Sequence, residues 1–162
     1  MRYLLDANVM IRAHEDYYPI DRIPQFWAWL AYQAKSGVVK VPYEIYHEIE
    51  ISKGPLHDWL TDSATSKIMI LNQKIDRVLL NTVLASGYAP DLDDSEIEEI
   101  GQDPFLIGYA LMNPSEMTVV TKEVSAPSKQ RANRRVPDVC KAFGIRCMND
   151  FEFYRELNFK IA

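Results

Sequence analysis

RYLLDAN, residues 2–8, is the segment from which the fold can be deduced most directly. Residues 3–5 form a short continuous apolar run, which is typical of a strand buried on both faces of a parallel sheet. Asp6 ends this strand and could cap a following helix, although Asn8 could do that capping itself. We therefore expect Asp6 to face a site at the carboxyl edge of the sheet, where open α/β folds place their ligands.

Three further strands are expected at residues 38–41, 117–120 and 145–148, with helical segments between them. Short strands that alternate with helices predict an α/β protein with a three-layer α/β/α architecture, in which helices cover both faces of a central, mostly parallel sheet of four to five short strands. The chain contains no internal repeat, low-complexity tract or linker. We expect residues 1–162 to form a single domain.

Helical periodicity and end signals predict the helices between these strands. Asp21 is expected to cap a helix that stops at Gly37. Gly87 is expected to end a helix over residues 73–86, and Asp103 to cap the next one. Residues 68–71 could be a short strand or an extended connector. The remaining expected helices cover residues 8–14, 42–51, 56–60 and 137–143, with a short acidic one from Asp93.

Four acids lie where a predicted strand gives way to a loop or a helix: Asp6, Glu48, Asp103 and Glu123. The carboxyl ends of parallel strands meet at one edge of a sheet, so these side chains can converge. Carboxylates held together repel one another unless a cation joins them, and a hard cation such as Mg²⁺ prefers oxygen ligands. The pattern predicts a metal site.

Several neighbours of these acids have alternative interpretations. Glu44 shares a helix face with Glu48 but could do no more than complement the helix dipole. Asp138 is a rival to Glu123 as the fourth acid, although it follows Pro137 in what is expected to be the first turn of a helix. The hydroxyl of Thr121 could orient a neighbouring carboxylate.

The composition is that of an ordinary globular protein, with 48% hydrophobic and 25% charged residues. The net charge of −5 provides no general attraction for a polyanion, which would have to bind a local basic region. Residues 122–141 supply such a region, which could equally be a solvated loop. Its basic residues are Lys122, Lys129, Arg131, Arg134, Arg135 and Lys141.

Other classes of site and location are disfavoured. Cys140 and Cys147 have no histidine cluster beside them, so a zinc site is not expected, and we expect both thiols to be reduced. No signal peptide is recognisable, and no apolar run approaches the roughly 18 residues that span a bilayer. We expect a cytoplasmic protein without a membrane-spanning segment.

The order of these motifs resembles the PIN-domain superfamily. LLDAN at residues 4–8 is similar to its first motif, and Glu48 lies where its helical glutamate follows the second strand. DPFLIGYA at residues 103–110 is similar to its third motif, and VVTKE at residues 119–123 to its fourth, with Glu123 in place of the usual aspartate. The chain also resembles a prokaryotic subgroup of unknown function that has glutamate at that place and a segment like PDVC at residues 137–140.

The resemblance implies a ribonuclease that depends on Mg²⁺ or Mn²⁺ and acts on single-stranded or structured RNA. Asp6, Glu48, Asp103 and Glu123 would be the catalytic metal ligands, and Asn8, Glu44 and Thr121 would orient them. The implied RNA-binding residues are Lys129, Arg131, Arg134 and Arg135. Many members of the superfamily are toxins of toxin–antitoxin pairs and form homodimers, so the resemblance also implies an antitoxin partner and a homodimer.

Two alternatives remain. The first is an inactive PIN-like module that binds RNA or a protein without cutting. The second is an aspartate-nucleophile phosphatase, which ranks low because such enzymes need a second aspartate where this chain has Asn8.

Overall fold

The computed structural model describes all 162 residues and contains one sheet of four parallel strands. The strands are β1 (Arg2–Leu5), β2 (Val39–Lys40), β3 (Met117–Val120) and β4 (Arg146–Met148), in the order β2-β1-β3-β4. Leu5 pairs with Val120, and Val120 pairs with Met148. The carboxyl ends of all four strands therefore meet at one edge.

Ten α-helices surround this sheet. They are α1 (Ala7–Arg12), α2 (Pro24–Lys35), α3 (Tyr43–Glu50), α4 (Pro55–Thr61), α5 (Ser63–Met69), α6 (Arg77–Thr82), α7 (Asp94–Ile100), α8 (Asp103–Leu111), α9 (Val136–Ala142) and α10 (Asp150–Glu156). Two π-helical segments, Ala13–Tyr17 and Val83–Tyr88, continue α1 and α6, and a 3₁₀ turn spans Arg131–Asn133. None of the helices is both long enough and apolar enough to span a membrane.

The connection from β1 to β2 runs one way along the sheet, and those from β2 to β3 and from β3 to β4 run the other way. Since such crossovers in parallel sheets are almost always right-handed, their helices form layers on opposite faces. Helix α8 packs against β1 and β3, and α9 packs against β4. On the other face, α2 and α10 meet through aromatic contacts such as Trp29 with Phe153, whose rings lie 5.8 Å apart. This arrangement confirms the predicted three-layer α/β/α fold.

Several predicted helix ends differ from the structure. Asp21 lies in a turn and does not cap α2, whose first residue is Pro24. Asp103 is the first residue of α8 and makes no capping hydrogen bond. Residues 68 and 69 end helix α5, and only Ile70 forms a bridge, to Val41. Helices α5 and α10 were not predicted.

Gly87 does not end the helix over residues 73–86, because the chain continues through it in π-helical form. A Cβ atom at this position would lie 2.8 Å from Val139 Cγ1 and 2.9 Å from Phe143 Cε2. The glycine is therefore needed for close packing against α9 and the residue that follows it. Both cysteines are free thiols, with Cys140 buried and Cys147 partly buried.

Candidate metal centre

Asp6 is the most buried acid of the centre, with a relative exposure of 5%. Its backbone N–H donates to Val120 O at 2.9 Å and so extends the β1–β3 pairing by one residue. Its Oδ1 accepts from the N–H of Ala7 at 2.8 Å and caps α1, while Oδ2 accepts from Thr121 Oγ1 at 2.8 Å. The carboxylate is fixed from both sides, and the capping and site-facing roles coexist.

Asn8 and Thr121 connect the end of β1 to the end of β3. Asn8 Oδ1 accepts from the backbone N–H of Lys122 at 3.0 Å, and its Nδ2 donates to Thr121 Oγ1 at 3.4 Å. The same hydroxyl accepts from the backbone N–H of Glu123 at 3.1 Å. Asn8 thus orients the end of β3 and does not cap α1. Asn8 and Thr121 therefore lie where they can orient Asp6 and Glu123.

Three of the predicted ligands converge on one place. Carboxylate oxygens of Asp6, Asp103 and Glu123 all lie within 4.8 Å of one another. Oxygens on opposite sides of an octahedral Mg²⁺ lie about 4 Å apart, so small side-chain movements would let one cation bind all three.

The electrostatics of this group are unfavourable in the absence of a cation. Burial, together with the charges of Asp6, Glu123 and Glu48, raises the pKa of Asp103 to about 8. Burial also raises the pKa of Asp6, against the opposing effect of its hydrogen bonds, and burial followed by the charge of Asp6 raises that of Glu123. Clustered groups with such shifted pKa values are characteristic of functional sites.

Glu48 lies on α3 at the border of this group. Its side chain is exposed, yet nearby protein atoms displace part of the water around the carboxylate and raise its pKa to about 7. The charge of Asp6 is the second cause of this rise. Its carboxylate is not within the 4.8 Å group, so its part as a metal ligand stays a prediction.

Glu44 holds the helices that carry two of the acids. Tyr109 Oη donates to Glu44 Oε1 at 2.8 Å and lies 3.2 Å from Oε2. Tyr109 belongs to α8, which begins at Asp103, and Glu44 belongs to α3, which carries Glu48. The contact therefore fixes α3 relative to α8.

Asp138, the rival fourth acid, is engaged elsewhere. Its Oδ1 accepts from Ser125 Oγ at 2.5 Å and its Oδ2 from the N–H of Ala126 at 2.8 Å. These bonds lower its pKa and hold the loop that follows β3 onto α9. Of the two candidates, Glu123 is the one that joins Asp6 and Asp103.

Glu123 carries an unpaired oxygen. Its Oε2 is buried and makes no hydrogen bond, while Oε1 lies 3.8 Å from Arg135 Nη1. The charge of Arg135 and the backbone N–H of Val136 oppose the rise in the pKa of this carboxyl. A buried carboxylate oxygen without a partner is costly, and a divalent cation bound by carboxylates would remove that cost. The donor set and this oxygen together fit a hard divalent metal ion.

The four basic residues predicted to bind RNA differ in their surroundings. Arg131 is occupied by Asp91 and Glu96, with Nη1–Oδ1 and Nε–Oε2 distances of 2.8 and 2.9 Å. Arg134 Nη1 donates to Gly87 O at 2.5 Å. Lys129, Arg134 and Arg135, but not Arg131, line a cavity that Asp103 and Glu123 also line.

Two features of this region were missed by the sequence analysis. Asp150, which follows β4, is fully buried and forms an ion pair with Lys122, whose Nζ lies 3.1 Å from its Oδ1. The charge of Lys122 is therefore already paired and adds little to the basic region. An acid after a strand was the signal that could have identified Asp150. Tyr88 lines the same cavity as Asp103, and no sequence signal pointed to it.

A family model described as a domain of unknown function (DUF4411) matches residues 3–161. The chain belongs to the DUF4411 family. The match spans every residue of the candidate metal centre. No curated protein matches the chain.

The raised pKa of Asp103 predicts how stability depends on pH without metal. Between the ordinary value of 3.8 and about 8, the folded protein holds a proton that the unfolded chain has released. Stability in EDTA should therefore fall as pH rises from 5 to 8.5. We expect Asp103→Asn to reduce this fall by about 1–3 kcal/mol, since one pKa unit corresponds to about 1.4 kcal/mol and the neighbouring acids share the effect.

Urea denaturation of both proteins at the two pH values measures this difference. If the free energy of unfolding falls equally between the two pH values in the wild type and in Asp103→Asn, Asp103 is not protonated in the folded, metal-free domain.

Proposed function

We propose that this DUF4411 domain is a metal-dependent ribonuclease, which hydrolyses phosphodiester bonds of RNA at an acidic Mg²⁺ or Mn²⁺ site. The observation that carries the proposal is the convergence of Asp6, Asp103 and Glu123, each of which has a carboxylate oxygen within 4.8 Å of the others. One buried oxygen of Glu123 makes no hydrogen bond and adds to this support. The order of the motifs, which resembles that of PIN domains, supports the same function.

Hydrolysis of a phosphodiester needs a water that attacks in line with the leaving oxygen, and it needs the extra negative charge to be stabilised. A divalent cation supplies both when bound. Asp6, Asp103 and Glu123 would hold it, and Glu48 would complete the ligand set. No side chain need act as a nucleophile.

The surrounding residues keep these carboxylates in position. The bonds from Ala7 and Thr121 to Asp6 leave little freedom for its rotation. Glu48 is open to solvent and has a pKa of about 7 without a cation, and a bound cation would favour its ionised form as it completes the ligand set.

The RNA is held by positive charge beside the acids. Lys129 and Arg135 line the cavity that contains Asp103 and Glu123, whereas Arg131 is engaged by its own acids. Single-stranded or structured RNA can present its phosphates to such a local basic region. An antitoxin partner and a homodimer follow from the PIN resemblance and stay predictions. The cytoplasmic location expected from the sequence also stays a prediction.

Replacement of one ligand should abolish cleavage. We expect Asp6→Asn and Glu123→Gln to lower Mn²⁺-dependent cleavage of a fluorescent single-stranded RNA by about 100-fold or more, because ligand charge is lost. Asp138→Asn is the matched control, since that acid lies outside the cluster, and should retain activity. The same proteins are tested for Mn²⁺-dependent thermal stabilisation, which the wild type should show and Asp6→Asn should lose.

Equal cleavage by the wild type and Asp6→Asn would indicate a contaminant or another centre. RNA binding without any cleavage by the wild type in Mn²⁺ or Mg²⁺ would favour the inactive binding module.

Positive charge at the cavity should contribute to RNA affinity. In the Asp6→Asn background, which prevents cleavage, Lys129→Gln should weaken RNA binding and lower the slope of log affinity against log salt by about 0.7. Lys141→Gln removes the same charge from the same basic segment but lies outside the cavity, so it should have a smaller effect. Fluorescence anisotropy at several salt concentrations measures both, and equal effects would place the RNA elsewhere.

A further inference from the structure

Lys122 directly precedes Glu123, and its side chain is turned into the protein. Its Nζ donates to Asp150 Oδ1 at 3.1 Å and to Tyr17 Oη at 3.2 Å. The same Nζ lies 4.6 Å from the centroid of the Phe151 ring and 5.1 Å from that of Tyr17. Only 20% of the side chain is exposed, so its charge is used within the fold.

Asp150 is the partner that holds this cation. It is fully buried at the first position of α10, its Oδ1 accepts from Lys122, and its Oδ2 makes no hydrogen bond. A buried carboxylate is costly unless a cation pairs with it, so each residue of this pair requires the other. Apolar side chains of similar size often stabilise a fold as well as a buried ion pair does. The pair therefore matters more for the geometry that it imposes than for stability.

The backbone of Lys122 is fixed at the same time. Its N–H donates to Asn8 Oδ1 at 3.0 Å, next to the end of β1. Its side chain reaches α10, which follows β4, and Tyr17 in the π-helical segment that continues α1. This one residue, which itself follows β3, thus joins the segments that come after three of the four strands.

Glu123 depends on this neighbour because its own carboxylate is weakly held. The carboxylate of Asp6 accepts two hydrogen bonds at 2.8 Å. In contrast, Glu123 Oε2 makes none, and Oε1 lies 3.8 Å from Arg135 Nη1, which is too far for a hydrogen bond. The residue that follows, Val124, is 78% exposed. The place of the Glu123 carboxylate is therefore set mainly by the backbone before it, where Lys122 is anchored.

We propose that the ion pair of Lys122 with Asp150 positions Glu123 as a ligand of the metal ion. The inference rests on the proposed function for the metal centre, but not for the reaction that the metal ion supports. Lys122 acts through Glu123 and is a positioning residue, since its own Nζ is bound to Asp150. The loss of residues that orient metal ligands typically weakens metal binding by about 10–100-fold.

The direction of the effect separates positioning from simple electrostatics. A cation near a metal centre repels a divalent ion, so the loss of the Lys122 charge should by itself tighten metal binding. The loss of an anchor for Glu123 should weaken it. Lys122→Met therefore has opposite expected results under the two explanations.

The test is a titration of the full chain with Mn²⁺, in which the EPR signal of the free ion measures binding. Lys122→Met should bind Mn²⁺ about tenfold more weakly than the wild type. Lys122→Arg should recover most of this loss, since a guanidinium can donate to the same carboxylate. Asp150→Asn should also weaken binding. The double variant should lose no more affinity than Lys122→Met, because the two residues act as one unit.

Arg146→Met is the matched control. Arg146 forms an ion pair with Glu156, the last residue of α10, whereas Lys122 binds the first residue of the same helix. Arg146 is also the first residue of β4, so it lies at the edge of the sheet opposite the acids. Removal of its charge should leave Mn²⁺ affinity unchanged, even if it lowers the thermal stability measured in EDTA.

Several results separate this proposal from the nuclease function. Unchanged or tighter Mn²⁺ binding by folded Lys122→Met, or an equal loss in Arg146→Met, overturns the positioning role even if the wild type cleaves RNA. Lys122-dependent Mn²⁺ binding without any RNA cleavage supports the positioning role and overturns the nuclease. A wild type that binds no Mn²⁺ contradicts both.

The double variant also protects the test against misfolding. If Lys122→Met leaves Asp150 unpaired and fails to fold, the combination of Lys122→Met with Asp150→Asn removes both charges and leaves no unpaired buried carboxylate. Its net charge equals that of the wild type, so weaker Mn²⁺ binding by this variant supports positioning, and unchanged binding overturns it.

Discussion

The pairing of β1 with β3 is the constraint on which the site depends. Because Leu5 lies beside Val120 in parallel register, the next residues of the two strands, Asp6 and Thr121, leave the sheet side by side. The hydrogen bond between their side chains and the bonds of Asn8 to the end of β3 follow from that register. A slip of one residue would separate Asp6 from Thr121 and turn its carboxylate to the other face of the sheet.

This constraint brings like charges together at a site where Asp6 is buried and Asp103 and Glu123 are partly buried. Burial raises the pKa values of Asp6, Asp103 and Glu123, and the charges of neighbouring acids raise those of Asp103 and Glu123 further. One oxygen of Glu123 is left without a hydrogen bond. A site of this kind costs folding free energy without a cation and gains binding free energy with one. Metal affinity and the stability of the metal-free domain are thus linked by the same carboxylates.

The sequence predicted the features that depend on the ends of strands. Asp6 and Glu123 follow buried strands, and a parallel sheet brings such positions together whatever the helices do. The features it did not predict depend on contacts between distant residues. Nothing local distinguishes Arg131, which its own acids occupy, from Arg135, which faces the site. Asp138 resembles a ligand in sequence, yet Ser125 and Ala126 donate hydrogen bonds to its two carboxylate oxygens. The place of Tyr88 depends on the π-helical turn and on Arg134.

The most direct test of the account is the anomalous diffraction of crystals grown with Mn²⁺, recorded at the manganese edge. The account predicts a peak in contact with carboxylate oxygens of Asp6, Asp103 and Glu123, and its loss in Asp6→Asn crystals grown in the same way. A peak bound only by other acids, or no peak at millimolar Mn²⁺ in a well-ordered crystal, would contradict the assignment of these carboxylates as a metal centre.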